Sequence, residues 1–232
     1  MLRALDVGTS IGATLIRLGA GAQIGELRAR PEQPLELYDF EGCPFCRKAR
    51  EALSILDLEA IIWPCPKRGP RFRPELERRG GKAQFPYLVD PNRGVEMYES
   101  DDIVRYLFET YGDGRVPALL ARGPLTDLSV GLVGLLRPGK GSFYQPSEPP
   151  VTPLELYSYE ASPFSRLVRE KLSSLEIPYR LHNVARGSPS RPAFVKRSGV
   201  MQVPWLSDPN TGTEMFESAD IFAYLDARYA RS

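Results

Sequence analysis

Apolar and polar residues alternate over Leu35–Phe40, the period of a half-buried strand. Past Pro44 the period lengthens: Phe45, Ala49, Ala52, Leu53 and Leu56 fall on one face of a helix running to about Leu56. Ala60–Trp63 is a short apolar strand, and Glu75–Arg79 is a helical turn or two closed by Gly80-Gly81. Tyr87–Val89 and Val95–Tyr98 predict strands around a turn at Asp90–Gly94. Ser100–Tyr111 predicts a helix with Ile103, Tyr106 and Leu107 turned inward, stopped by Gly112. The order is βαβαββα, an α/β unit with a mixed sheet.

That unit occurs twice. PLELYDFEGCPFC at 34–46 returns as PLELYSYEASPFS at 153–165, and QFPYLVDPNRGVEMYESDDIVRYL at 84–107 returns as QVPWLSDPNTGTEMFESADIFAYL at 202–225. LIRLGAGA at 15–22 is echoed by LLRPGKGS at 135–142. A repeat this long buries its own core, unlike a solenoid unit. Two domains are expected, 1–116 and 117–232, with cores over 34–116 and 153–232. Phe164, Leu167, Val168, Leu172 and Leu175 form the core stripe of the second copy's first helix. An apolar helix candidate precedes each copy, at about 5–18 and 125–137. Both are apolar on more than one face, so both are expected to be buried against the domains or between them. Pro138, Pro146, Pro149, Pro150 and Pro153 favour an extended linker.

Composition narrows the class. With 42% hydrophobic and 25% charged residues the chain has material for a packed core. A net charge of +1 lacks the basic field of a nucleic-acid or anionic-membrane binder. No apolar run approaches the ~18–20 residues of a membrane span. Asp6 and Arg17 make the N-terminus a poor signal peptide. One histidine and three cysteines supply no disulfide framework. A reducing, cytoplasmic setting fits.

The chemistry centres on Cys43-Pro44-Phe45-Cys46, between a strand and a helix. A helix N-terminus stabilises a thiolate, Pro44 suits the first turn, and the spacing lets Cys46 resolve a mixed disulfide on Cys43. Arg47 and Lys48 add positive charge. Zinc needs about four ligands, and only Cys65 and His182 remain, one in each copy; no metal is expected. Phe85-Pro86 and Val203-Pro204 open equivalent strands. Proline is tolerated at a strand start, and a cis peptide is the sharper reading. Glu99-Ser100 and Glu217-Ser218 precede the last helix of each copy. Serine there is a simple N-cap; with the glutamate it also suits the α-amino acid end of a ligand such as glutathione. Cys65 reads as a structural thiol or a second resolving one, and His182 as a strand-end residue.

CPFC after a strand, a later FP or VP, and then ESDDIVRYL or ESADIFAYL resemble the glutaredoxin-like N-terminal domain of glutathione transferases. The first copy also resembles the CPFC domain of the prostaglandin E synthase 2 family. The resemblance implies two tandem thioredoxin-fold domains, Cys43 as attacking thiol, and cis Pro86 and Pro204. It implies glutathione contacts from Phe45, Phe85, Pro86, Glu99 and Ser100, and from Ser162, Phe164, Val203, Pro204, Glu217 and Ser218. An arginine of the run Lys67, Arg68, Arg71, Arg73 suits the glycyl carboxylate. The second copy has no thiol: Ser162 is either an N-cap or a hydroxyl donor to a glutathione thiolate. Acidic Glu36 and Asp39 stand where many glutaredoxins carry a lysine, an arrangement expected to weaken the thiolate. No all-helical domain follows either copy.

The expected function is glutathione-dependent thiol–disulfide exchange by Cys43 and Cys46 on glutathionylated or disulfide substrates. The rivals are a glutathione-binding scaffold without turnover and a transferase or isomerase acting on an apolar substrate between the domains.

Overall fold

The computed structural model describes residues 2–28, 30–121, 123, 132 and 137–231. Helix α1 (Leu2–Ile16) is followed by β1 (Leu35–Asp39), α2 (Pro44–Ile55), β2 (Ala60–Pro64), α3 (Phe72–Gly80), β3 (Tyr87–Asp90), β4 (Val95–Met97) and α4 (Ser100–Tyr111). The second repeat gives β5 (Leu154–Ser158), α5 (Pro163–Ser174), β6 (Tyr179–Asn183), α6 (Arg191–Ser198), β7 (Trp205–Asp208), β8 (Thr213–Met215) and α7 (Ser218–Tyr229). Each repeat thus has the βαβαββα order that the hydrophobic periods predict. The second helix of each βαβαββα unit, α3 and α6, stops at a left-handed glycine, Gly81 at φ 79° and Gly199 at φ 84°, a conformation that costs other residues a steric clash. No described helix is long and apolar enough to cross a membrane.

The eight strands form one sheet in the palindromic order β4-β3-β1-β2-β6-β5-β7-β8. Within each repeat the first two strands are parallel and the last two antiparallel. At the centre β2 and β6 pair antiparallel, with Ala60 opposite Leu181 and Ile62 opposite Tyr179. Glu59 reinforces this seam by accepting from Arg180 Nη2 at 2.5 Å and meeting His182 Nδ1 at 2.7 Å. Leu53, Leu56, Ile103 and Leu107 of one repeat share a single buried cluster with Leu172, Leu175, Ile221 and Leu225 of the other.

Charged residues cross the seam inside the molecule. Arg50 bonds to Asp39 and reaches Glu41 and Glu160, each at 3.1 Å. Arg169 reaches Glu41 at 3.1 Å and Glu160 at 3.0 Å. These four Arg and Glu side chains are all buried. Backbone bonds repeat the crossing: Glu41 N–H donates to Ser173 Oγ, and Glu160 N–H donates to Ser54 Oγ, both at 3.2 Å. Glu176, at the end of α5, accepts from the N–H groups of Arg71 and Phe72. It caps α3 of the other repeat, and α3 starts at Phe72 rather than at Glu75 as the sequence suggests.

The flanking helix and the linker add detail. The first apolar helix candidate is α1, and it docks through its small residues. Ser10 and Ala13 are fully buried, while Leu5 and Leu15 remain 62% and 68% exposed. Ser10 Oγ donates to Pro163 O at 2.7 Å and Thr14 Oγ1 to Ala161 O at 2.9 Å, so α1 of the first repeat lies on α5 of the second. The other candidate, 125–137, lies outside the described residues apart from Leu132 and Arg137. The proline-rich linker is strapped down: Tyr144 N–H bonds Lys67 O and Gln145 N–H bonds Ser174 O.

Breaking a buried ion pair from one side leaves an uncompensated charge and costs about 3–5 kcal/mol. Glu160→Ala is expected to lower the unfolding free energy by that amount in urea titrations. Asp102→Ala, which removes the exposed pair with Arg105, is expected to cost about 1 kcal/mol or less.

Candidate active site

Strand β1 delivers the turn Phe40–Gly42 to the start of α2. Gly42 runs against the linker: a Cβ there would stand 2.8 Å from Lys140 O, so a side chain would displace the turn. Cys43 is the N-cap of α2, with φ −82° and ψ 119°, and its Sγ accepts the Cys46 N–H at 3.3 Å. Pro44 opens the helix. The Cys46 thiol, the N–H groups of Cys46 and Phe45 and the Arg50 guanidinium hold Cys43 below the ordinary thiol value against its burial. Burial and the neighbouring Cys43 push Cys46 well up, and burial with the charge of Asp39 does the same to Cys65. Cys43 keeps 5% of its surface exposed while Cys46 and Cys65 keep none.

The positive charge comes from a residue that the sequence reading passed over. Arg47 turns to Glu51 at 3.0 Å, and Lys48 bonds Asp101. Arg50 is the cation that acts on Cys43. Asp39 is pushed up to about 6 by burial, against the pull of Arg50. The recurrence of arginine at Arg50 and Arg169 in matching helices was the available signal.

The Phe85-Pro86 and Val203-Pro204 peptides are both cis. Phe85 meets Phe40 edge-on at 5.9 Å, and the Arg73 guanidinium lies 4.5 Å from the Phe85 ring centre. Arg73 is fixed by Nε bonds to Cys65 O at 2.9 Å and Pro66 O at 2.6 Å. Arg73 thereby links the Phe85 ring to the backbone at Cys65. Neither Phe85 nor Val203 spends its backbone groups in the loop hydrogen bonds of the described residues.

Glu99, rather than Ser100, occupies the N-cap position of α4, and it lies at φ 67°. Glu217 repeats this at φ 61° before α7. A non-glycine residue held at positive φ costs about 1–3 kcal/mol, and such strain gathers at functional sites. Gln84 Nε2 donates to Glu99 at 2.5 Å, and Gln202 Nε2 donates to Glu217 at 2.6 Å. Each glutamine thereby ties the cis-proline loop to the start of the last helix. Ser100 and Ser218 are the first helical residues and are buried.

In the second repeat Ser162 is an N-cap whose Oγ accepts Ser165 N–H at 3.2 Å. That role leaves the hydroxyl proton free to donate. Ser158 stands where Asp39 stands in the first repeat, and the Oγ atoms of Ser158 and Ser165 are buried without a partner. Tyr157 stacks between His182 at 4.2 Å and Phe194 at 4.8 Å, which gives His182 a packing role. Phe45 and Phe164 leave the core stripes proposed for them: they are 52% and 45% exposed at the first turns of α2 and α5. No group of three or more His, Cys, Asp or Glu side chains is placed to hold a metal ion among the described residues.

The family model described as "Glutathione S-transferase, N-terminal domain" matches residues 37–120 and again 156–232. No curated protein sequence matches the chain. Among solved structures, the Bombyx mori glutathione transferase BmGSTD1 is 28% identical over 37% of this chain and 39% of that one, with a TM-score of 0.32. The match therefore spans well under half of the silkworm enzyme. The trimeric glutathione transferase TDR1 of Leishmania is 14% identical over 86% of this chain and 68% of that one, with a TM-score of 0.30. With both repeats matched by one family model, the chain belongs to the glutathione S-transferase N-terminal domain family and carries that domain twice.

Proposed function

We propose that the chain catalyses glutathione-dependent thiol–disulfide exchange, with Cys43 as nucleophile. The observation that carries this reading is the pairing at the start of α2: Cys43 at the N-cap, accepting the Cys46 N–H and held low, with only a sliver of its surface exposed, beside a fully buried Cys46 held high. The Cys43 thiolate attacks the glutathione sulfur of a mixed disulfide. The old S–S bond breaks, the substrate sulfur leaves and takes a proton, and glutathione stays bonded to Cys43. A second glutathione thiolate then attacks that sulfur, releasing glutathione disulfide and the Cys43 thiolate. On a dithiol route Cys46 loses its proton and displaces glutathione, forming a Cys43–Cys46 disulfide that two further glutathione molecules reduce.

The surface of Phe45, the Phe85 backbone, cis-Pro86, Glu99 and the start of α4 supports glutathione as the thiol. Phe85 offers strand-like backbone bonds, Glu99 and the Ser100 end of α4 suit the two charges of the γ-glutamyl group, and Arg73 suits the glycyl carboxylate. In the second repeat Ser162, Phe164, Val203, cis-Pro204, Glu217 and Ser218 repeat this surface without a thiol. The reading there is reversible glutathione binding, with the Ser162 hydroxyl donating to the thiolate.

Three measurements test these readings. In glutathione-coupled reduction of a small glutathionylated substrate, Cys43→Ser is expected to lose all activity and Cys46→Ser to keep the monothiol route; complete loss in both sinks that route. In native alkylation against pH, Cys43 is expected to react with a midpoint below the free-thiol value of ~8.5, because its folded pKa is lowered, while Cys65 stays protected. In a glutathione chemical-shift titration of the full-length Cys43→Ser protein, the Val203 and Ser218 resonances are expected to move. Glu217→Ala should weaken that binding about tenfold or more, since one charge-assisted hydrogen bond is worth roughly 1.5–3 kcal/mol. Resonances that stay still at millimolar glutathione leave this repeat a packing role.

A further inference from the structure

The two repeats differ in the groove between α2 and α4 of the first and α5 and α7 of the second. In the first repeat Lys48, fully buried on α2, bonds Asp101 on α4 and bridges the groove. Val104 packs below them, 1% exposed. The matching positions of the second repeat are Leu167, Ala219 and Phe222. Apolar at these positions, and tied across α5 and α7 by Lys171 and Asp226 further along the helices, the groove holds a cavity of about 480 Å³. That lies within the range of roughly 300–1,000 Å³ typical of small-molecule sites.

Its walls specify a chemistry. Leu167, Ala219 and Phe222 are apolar, and Phe222 is left 43% exposed on the cavity. The charges around them are already matched: Lys140 with Asp6 at 3.0 Å, Arg137 with Glu170 at 2.5 Å, and Lys171 with Asp226. An ion entering here would be desolvated and, among the described lining residues, would meet only charges that already have partners, which is unfavourable. Lys171 Nζ lies 4.7 Å from the Phe222 ring centre and donates to Gln145 Oε1 at 3.1 Å. The Gln145 amide at the cavity wall is a polar handle that orients a ligand.

We infer that the cavity between α5 and α7 is a binding site for an uncharged, largely apolar small molecule. It is separate from the Cys43 chemistry, being built on the thiol-less repeat. Its counterpart in the first repeat is bridged by Lys48 and Asp101.

The test uses the full-length protein and N-phenyl-1-naphthylamine, an uncharged dye that brightens in apolar sites. Saturable one-site brightening is expected, with the sulfonated analogue 8-anilinonaphthalene-1-sulfonate at least about tenfold weaker. The double variant Leu167→Lys/Ala219→Asp installs the bridge of the first repeat and is expected to abolish the brightening. Phe222→Ala keeps the groove open but removes its aromatic wall and is expected to weaken the dye severalfold, which preserves the test should the double variant fail to fold. Cys43→Ser is expected to bind the dye like the parent protein, so loss of the disulfide-exchange reading leaves this one standing. No saturable signal in the parent protein, or unchanged dye affinity in a folded double variant, overturns the inference.

Discussion

The buried quartet of Arg50, Glu160, Arg169 and Glu41 governs the rest of the molecule. Each arginine touches a glutamate of its own repeat and one of the other, so neither pair is complete until both repeats are in place. Buried charges left without partners are costly, and that cost makes docking of the repeats specific. Glu41 and Glu160 also sit two residues before Cys43 and Ser162. The contact that joins the repeats therefore holds the turns from which both candidate sites are built. Arg50 serves twice, bonding across the seam and lowering the Cys43 thiol.

On this shared frame the repeats have parted chemically. Cys43, Cys46 and Asp39 become Ser162, Ser165 and Ser158. The first set gives a polarised pair of thiols beside an arginine-bound carboxylate. The second gives a cap and two buried hydroxyls without partners among the described residues, each a desolvation cost. What both keep is the local backbone: cis-proline loops and a glutamate at positive φ, tied together by Gln84 and Gln202. The groove behind the site has diverged as well: Lys48 and Asp101 span it in the first repeat, while in the second the pair is Lys171 and Asp226 and a cavity remains beside apolar Leu167, Ala219 and Phe222.

Read from residues alone, the chain already carries the duplication, the βαβαββα order, the helix-start position of Cys43 and the placing of the proline loops. These are local or self-comparing features, carried by hydrophobic period and by matching strings of residues. The resemblance it carries to glutathione transferase N-terminal domains supplied the cis peptides. Only the tertiary structure decided the single sheet, because β2 and β6 join through backbone groups that every strand possesses. Only it decided that Arg50 rather than Arg47 or Lys48 serves the thiol. A charged side chain selects its partner by proximity in space, and Glu160 is far from Arg50 along the chain. The start of α3 was hidden for the same reason, its cap being Glu176 of the other repeat. Periodicity also placed Phe45 and Phe164 inside and α1's leucines against the domains. It reports which face is apolar, and what covers that face is settled by the neighbours that arrive when the chain folds.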